Sequence, residues 1–332
     1  MAIVTDPYLP SMGHTDLSGT PLNGGTPLQD AITDGGTQTT DLPLYWRADG
    51  PPGAPPLLLL HGGPGAHHDY LYPQMLALSD AYRVITYDQR GGGRSRTDDP
   101  TPITWQTQVN DLAQIVTEFG LTPPTIVGYS WGALLAMLYA IQSAKAGDAR
   151  LAPARLVLVS PAPITRAWRN AFESSLSARG RSATILAMRE ELAASGLRER
   201  DPAAYRQRGF ELSVAGYFAD SSRARALTPF RVTGRVQQSV WESLGDFDLR
   251  DDLRGVHCPT LVIHGRQDPI PLESAAAAAQ SLSAEFLVLD DCGHVPYVEQ
   301  PELLFAAIRR FLAESHGSLR SSHPHATHHD SR

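Results

Sequence analysis

The chain has 332 residues, 42% hydrophobic and 19% charged, which is enough apolar material for one large core with an inserted subdomain. Lys and Arg number 28 against 35 Asp and Glu; the net charge of -7 leaves no basic footprint for nucleic acid or an anionic membrane as partner. Cys258 and Cys292 are the only cysteines, too few for a disulfide framework and wrongly spaced for zinc, so they read as free thiols in a reducing, cytoplasmic setting.

In chain order, residues 1–36 are rich in Thr, Gly, Pro and Asp and read as a flexible N-terminal arm. No basic residue precedes Arg47, no apolar run resembles a secretory signal, and no stretch reaches membrane-spanning length. A strand pair is expected near Thr37 to Arg47. Further strands are expected at Leu57 to Leu60, Val84 to Thr86, Thr125 to Val127, Leu156 to Val159, Leu261 to Ile263 and Phe286 to Leu289, each a short apolar run suited to burial on both faces. Helices fit at Trp105 to Phe119, after Ser130, at Leu272 to Ser281 and at Leu303 to Ala313. Strands alternating with helices predict an α/β fold with a mostly parallel sheet covered on both faces. The core spans residues 37–160 and 249–314. Between them, residues 161–248 break the alternation with helical segments, and this insertion reads as a helical cap above the carboxyl ends of the strands. Residues 315–332 form a His-rich tail, read as disordered.

Gly128-Tyr129-Ser130-Trp131-Gly132 lies between the β-branched run Thr125-Ile126-Val127 and a helical run from Ala133. That context makes Gly-x-Ser-x-Gly a nucleophile elbow, with Ser130 presented above the sheet edge. A serine hydroxyl needs a base and an orienting carboxylate. His294 follows the strand Phe286 to Leu289, and Asp268 follows Leu261 to Ile263, giving the chain order Ser, Asp, His. Asp246, Asp248, Asp290 and Asp291 compete for the orienting role. The first two precede the strand, and the last two lie too near His294 to face its ring easily. An oxyanion needs two main-chain donors: the N–H of Trp131 at the helix start, and that of Gly63 in the loop His61-Gly62-Gly63-Pro64-Gly65.

These pieces, with Asp69-Tyr70-Leu71 and Asp88-Gln89-Arg90-Gly91-Gly92-Gly93-Arg94-Ser95, resemble the proline iminopeptidase family of α/β-hydrolase serine peptidases over about Leu57 to Ala140 and again from Cys258 to Phe311. The resemblance implies an α/β-hydrolase fold with an eight-stranded core and a helical cap, no metal or other cofactor, Ser130, Asp268 and His294 as triad, and release of an N-terminal residue, Pro or small apolar, from a short peptide or small-molecule substrate. The Asp88 to Ser95 loop would buttress the site. The cap departs from the family. Bacterial members bring an amine-holding Glu from a Trp-x-x-Trp-Glu segment; the nearest match is Trp168-Arg169-Asn170-Ala171-Phe172-Glu173. A Glu follows the triad Asp in an archaeal branch, where this chain has Pro269. Glu173, Glu211 and Glu242 are candidate anchors for an ammonium, and Trp168, Phe210, Tyr217, Phe218 and Trp241 are candidates to line an apolar pocket. The alternatives are an esterase or lactonase acting on an uncharged acyl group, and a non-catalytic receptor on the same scaffold.

Overall fold

A computed structural model describes residues 33–314, so the tail at 315–332 and most of the arm lie outside the described residues. Eight strands form one sheet: β1 (Thr33–Gly36), β2 (Tyr45–Asp49), β3 (Pro56–Leu60), β4 (Arg83–Tyr87), β5 (Thr125–Tyr129), β6 (Arg155–Val159), β7 (Thr260–Gly265) and β8 (Glu285–Leu289). Their order is β1-β2-β4-β3-β5-β6-β7-β8. β1, β2 and β4 pair antiparallel, and all remaining pairs are parallel. Central strands are the Leu- and Val-rich ones: Leu57 to Leu60 and Leu156 to Val159 are all at most 1% exposed. Such strands need helices on both faces to bury both sets of side chains.

Two corrections concern the sheet edges. Thr33–Gly36, the end of the expected arm, is strand β1, and the strand pair flanks Thr37 to Leu44 rather than running through it. A turn wins there because the Thr37 Oγ1 accepts from the Leu44 N–H at 2.8 Å, and the Glu118 carboxylate accepts from the N–H groups of Gln38 and Thr39. At the other edge, β8 is not buried on both faces: Phe286, on this last strand of the sheet, is 37% exposed.

The helices are α1 (Trp105–Glu118), α2 (Trp131–Ala146), α3 (Arg166–Arg179), α4 (Ala183–Ala194), α5 (Leu197–Arg200), α6 (Pro202–Val214), α7 (Gly234–Ser243), α8 (Arg250–Leu253), α9 (Leu272–Ser281), α10 (Pro296–Glu299) and α11 (Pro301–Glu314). α1 starts where Thr104 and Thr107 cap each other reciprocally. α2 runs through the interior and is apolar all round, ending at Gly147 in the left-handed region. Helices α3 to α7 lie between β6 and β7, with no strand among them. The ends of this excursion meet: Leu249 N–H donates to Ile164 C=O at 3.0 Å, and Arg166 N–H to Phe247 C=O at 2.8 Å. No helix among the described residues is long and apolar enough to cross a membrane.

Candidate active site

β5 runs directly into α2 with a single residue, Ser130, between them. The turn is this tight because Gly128 and Gly132 lack side chains. A Cβ on Gly132 would lie 2.3 Å from the Leu60 carbonyl oxygen, and one on Gly128 would lie 2.6 Å from the Ala133 Cα. Ser130 itself adopts φ 54°, ψ -116°, a conformation disfavoured for a residue with a Cβ. Strain of this kind persists only where the surroundings enforce it, and here the Ser130 N–H is fixed to Val159 C=O at 2.9 Å while its C=O accepts from Ala133, Leu134 and Ala162.

The loops after β7 and β8 meet this turn. His294 Nε2 lies 2.9 Å from Ser130 Oγ, and His294 Nδ1 lies 2.8 Å from Asp268 Oδ2. Asp268 Oδ1 accepts the Ile270 N–H at 2.8 Å, which sets the carboxylate plane. Burial pushes the Asp268 carboxyl up, but His294, then His264, and the hydrogen bonds outweigh it and hold the group below the usual carboxylate range. The competing aspartates are elsewhere: Asp290 pairs with Arg266, and Asp248 with Arg250. His294 and Asp268 are buried, whereas Ser130 is only partly so.

The N–H of Trp131 and the N–H of Gly63 have no acceptor among the described residues, while the neighbouring Gly62 N–H is taken by the Tyr70 hydroxyl at 2.6 Å. A network not foreseen from the sequence joins their two loops. Trp131 Nε1–H donates to Gln89 Oε1 at 2.9 Å, and Gln89 Nε2–H donates to His61 C=O at 2.8 Å. His61 Nε2 accepts the Gln89 N–H at 3.0 Å, so its Nδ1 carries the proton that Gly62 C=O accepts at 2.8 Å. The sequence signal for it was Gln89 itself, the second residue of the Asp88 to Ser95 loop. That loop is braced from within and without. Asp88 accepts from the Arg94 N–H at 2.8 Å and from the His68 N–H at 3.0 Å, and Arg90 reaches Asp111 at 2.6 Å.

Burial pulls the His61 imidazole down to about 4, against 6.5 in the unfolded chain. The unfolded state therefore binds the proton first, and stability falls as pH drops from 6.5 towards 4. This loss is on the order of 3 kcal/mol. Urea midpoints measured at pH 7 and pH 4.5 should converge in His61→Asn and diverge in the unchanged protein. Equal pH dependence in both would remove His61 as the cause.

The cap residues divide. Tyr217 packs at a tilt of 36°, 5.4 Å from the His294 ring, and Phe172 lies 6.5 Å from it, while Trp241 meets Trp131 edge-on at 5.2 Å. Phe210 packs on Phe230, which stacks on Tyr70. Of these, Tyr217 and Phe172 are the ones in ring contact with His294. Three others make no such contact. Trp168 packs into the apolar cluster beneath the cap with Arg250 over its ring, and Phe218 is buried at 3% in the core. Glu242 is exposed on the outer side of α7, bonded to Gln238.

Neither remaining glutamate is free. Glu211 is buried but neutralised by Arg208 at 2.6 Å and bonded to Gln207. Glu173 binds Arg169 at 2.6 Å, whose guanidinium lies 3.6 Å over the Trp241 ring. Helical spacing brings the Arg four residues before Glu173 and the one three residues before Glu211 onto the same faces. A groove of about 310 Å³ opens at the amino ends of β3, β5 and β6, opposite the end that carries Ser130. Among the described residues, no group of three or more His, Cys, Asp or Glu side chains is placed to hold a metal ion. Cys258 and Cys292 are free thiols; burial pushes both up, Cys292 the further.

The sequence profile of the Alpha/beta hydrolase family matches residues 57–307. A proline iminopeptidase of Lactobacillus helveticus is 26% identical over 271 residues, 78% of this chain and 90% of that protein. In fold, the chain is similar to the proline iminopeptidase of Mycobacterium smegmatis (TM-score 0.61, 22% identity, 85% of this chain and 98% of that one). It is similar also to the enol-lactonase of Burkholderia xenovorans LB400 (TM-score 0.56, 22% identity, 81% and 96%). With the profile running from β3 into α11 and the eight-stranded sheet carrying a serine turn at its centre, the chain belongs to the alpha/beta hydrolase family.

Proposed function

We propose that the protein is a serine hydrolase that cleaves its substrate through an acyl-enzyme on Ser130. One observation carries this reading: a continuous hydrogen-bonded chain from Ser130 Oγ through His294 to Asp268, beside two main-chain donors that lack acceptors. In this mechanism Ser130 Oγ attacks the substrate carbonyl as His294 Nε2 takes its proton. Asp268 holds Nδ1–H and stabilises the imidazolium. The developing oxyanion meets the N–H groups of Gly63 and Trp131, which need no reorganisation because nothing else binds them. His294 then protonates the leaving group, and water reverses the sequence.

For the substrate, we infer an acyl group without a free ammonium, as for an esterase or lactonase. Each glutamate offered as an amine anchor is neutralised by an arginine or lies on the outside, and an unpaired ammonium in this aromatic site would cost several kcal/mol. The side chains in ring contact with His294 are the aromatics Phe172 and Tyr217, and Phe230 stacks on Tyr70, whose hydroxyl accepts the Gly62 N–H; such a lining suits an apolar acyl chain. Release of an N-terminal residue is the second reading. It is favoured by the relatives named proline iminopeptidase and by Glu173, which stands beside Phe172 and is 38% exposed despite its pairing.

p-Nitrophenyl esters of short fatty acids should be turned over at least 100-fold faster, in kcat/KM, than Pro or Ala arylamides with free amines. Glu173→Gln should leave ester turnover within threefold. A preference for free-amine arylamides over their N-blocked forms, lost in Glu173→Gln, would reverse the order of the two readings.

A further inference from the structure

Glu299 has no place in the reaction just described, yet it is one of the few carboxylates in the molecule buried as deeply as Asp268, at 3% exposure. Among the described residues it forms no ion pair. Instead, its two oxygens accept peptide N–H groups from two separate parts of the chain. Oε2 accepts from Gly293 at 2.7 Å, the residue immediately before His294. Oε1 accepts from Ala219 at 2.8 Å and from Asp220 at 3.3 Å, both in the cap segment after α6. Arg223 of the same segment donates to the Glu299 carbonyl at 2.9 Å. The contact is close. A Cβ on Gly293 would stand 2.3 Å from the Tyr217 carbonyl oxygen, the same oxygen that accepts the His294 N–H at 2.7 Å.

We propose that Glu299 is a positioning residue, a buried clamp that holds the His294 loop and the cap segment 217–220 as one rigid unit and so sets the imidazole against Ser130. The proposal rests on the serine-hydrolase reading for its rate consequences. The physical case is geometric. The His294 ring packs at a tilt against Tyr217 of that segment, and its main chain is held by Tyr217 C=O on one side and by the Tyr129 hydroxyl at 3.0 Å on the other. Among the described residues, loss of the carboxylate would leave the His294 N–H to Tyr217 C=O bond at the loop and the Arg223 bond to the carbonyl of residue 299 beside it. Displacing a catalytic group by about 1 Å costs on the order of 10²-fold in rate. A carboxylate suits this task because both oxygens accept, so three donors from two segments converge on one rigid plane. Burial raises the Glu299 carboxyl above its ordinary range, opposed by the N–H donors, a penalty that a merely decorative acid would not carry. It follows that this part of the cap stays seated while substrate enters.

The test uses the full chain and Glu299→Gln, which keeps the shape but turns one acceptor into a donor facing a peptide N–H. Glu299→Asp, too short to reach both sides, serves as a second variant. Ile185→Ala, in a buried apolar residue of the cap that makes no side-chain hydrogen bond to either segment, is the stability control. Expected for Glu299→Gln are a 10- to 100-fold fall in kcat for p-nitrophenyl acetate with KM within threefold, and faster hydrogen exchange at the Gly293 and Ala219 amides together. Ile185→Ala should lose comparable or greater stability while keeping kcat within threefold. Exchange at the two amides unchanged in both Glu299 variants, or a kcat loss matched by Ile185→Ala at equal melting temperature, would overturn the clamp. Failure of the hydrolase reading would show differently, as absence of fluorophosphonate labelling in the unchanged protein, and the exchange measurement decides on the clamp in either case.

Discussion

Replacing Ser130 by Ala is expected to abolish labelling by a fluorophosphonate and to lower ester turnover on the order of 10⁴- to 10⁶-fold. The basis is that Ser130 Oγ alone stands 2.9 Å from His294 Nε2, at the point where a helix start and the Gly63 loop offer free N–H groups. Cys292, two residues before His294, is not placed to substitute, since it is fully buried. The fold should survive, because the hydroxyl contributes one hydrogen bond at a partly exposed position. Ser130→Gly, equally without a nucleophile, should be about 1 kcal/mol more stable than Ser130→Ala, because glycine accepts the φ of 54° that a Cβ resists. Labelling retained in Ser130→Ala would move the chemistry to another residue.

Asp268→Asn is expected to lower kcat on the order of 10⁴-fold with the fold retained. The amide oxygen can keep the Ile270 N–H, which leaves the amide NH2 facing His294 Nδ1. A donor there forces Nδ1 to accept, the ring proton moves to Nε2, and the base points a hydrogen at the serine it should deprotonate. A pH consequence accompanies it. The Asp268 carboxyl is held below its unfolded value of 3.8, so its stabilising contribution is complete above that pH and is lost as pH falls through the folded value. The asparagine variant should lack that component of acid denaturation, read as a flatter urea midpoint below pH 3.8. Turnover within tenfold of the unchanged protein would remove Asp268 from the mechanism.

How far the sequence spoke for the structure depended on what each residue had to satisfy. Central strands were legible because burial on both faces demands uninterrupted Leu, Val and Ile, as at Leu57 to Leu60 and Leu156 to Val159. At the edges that demand lapses, so β1 hid in a Thr-Asp-Gly-Gly run and the turn at Thr37 to Leu44 was taken for strand. Ser130, His294 and Asp268 could be found because each ends a strand, and parallel strands bring their carboxyl ends together whatever the separation in sequence. The glutamates could not be judged. Whether Glu173 or Glu211 is free depends on an arginine rotamer one helical turn away, and whether Glu242 faces in depends on the rotation of α7. Glu299 gave no signal, since an acid two residues after a Pro-Tyr pair ordinarily faces water. Its burial arises only from where the cap settles.

The excursion from β6 to β7 departs and returns through adjacent residues, with Ile164 bonded to Leu249 and Arg166 to Phe247. To the sheet, everything between those joints is equivalent to one short loop, because the register of Val159 against Ile263 is set on the core side of them. Helices α3 to α7 can accordingly be lengthened, shortened or transplanted from a relative without re-threading the strands that aim the nucleophile. Such a graft would keep its chemistry only if the incoming piece also supplied the peptides at 217, 219 and 220 and the Thr233 N–H that binds Gly65 C=O, so that specificity is free to drift in the cap away from those seams.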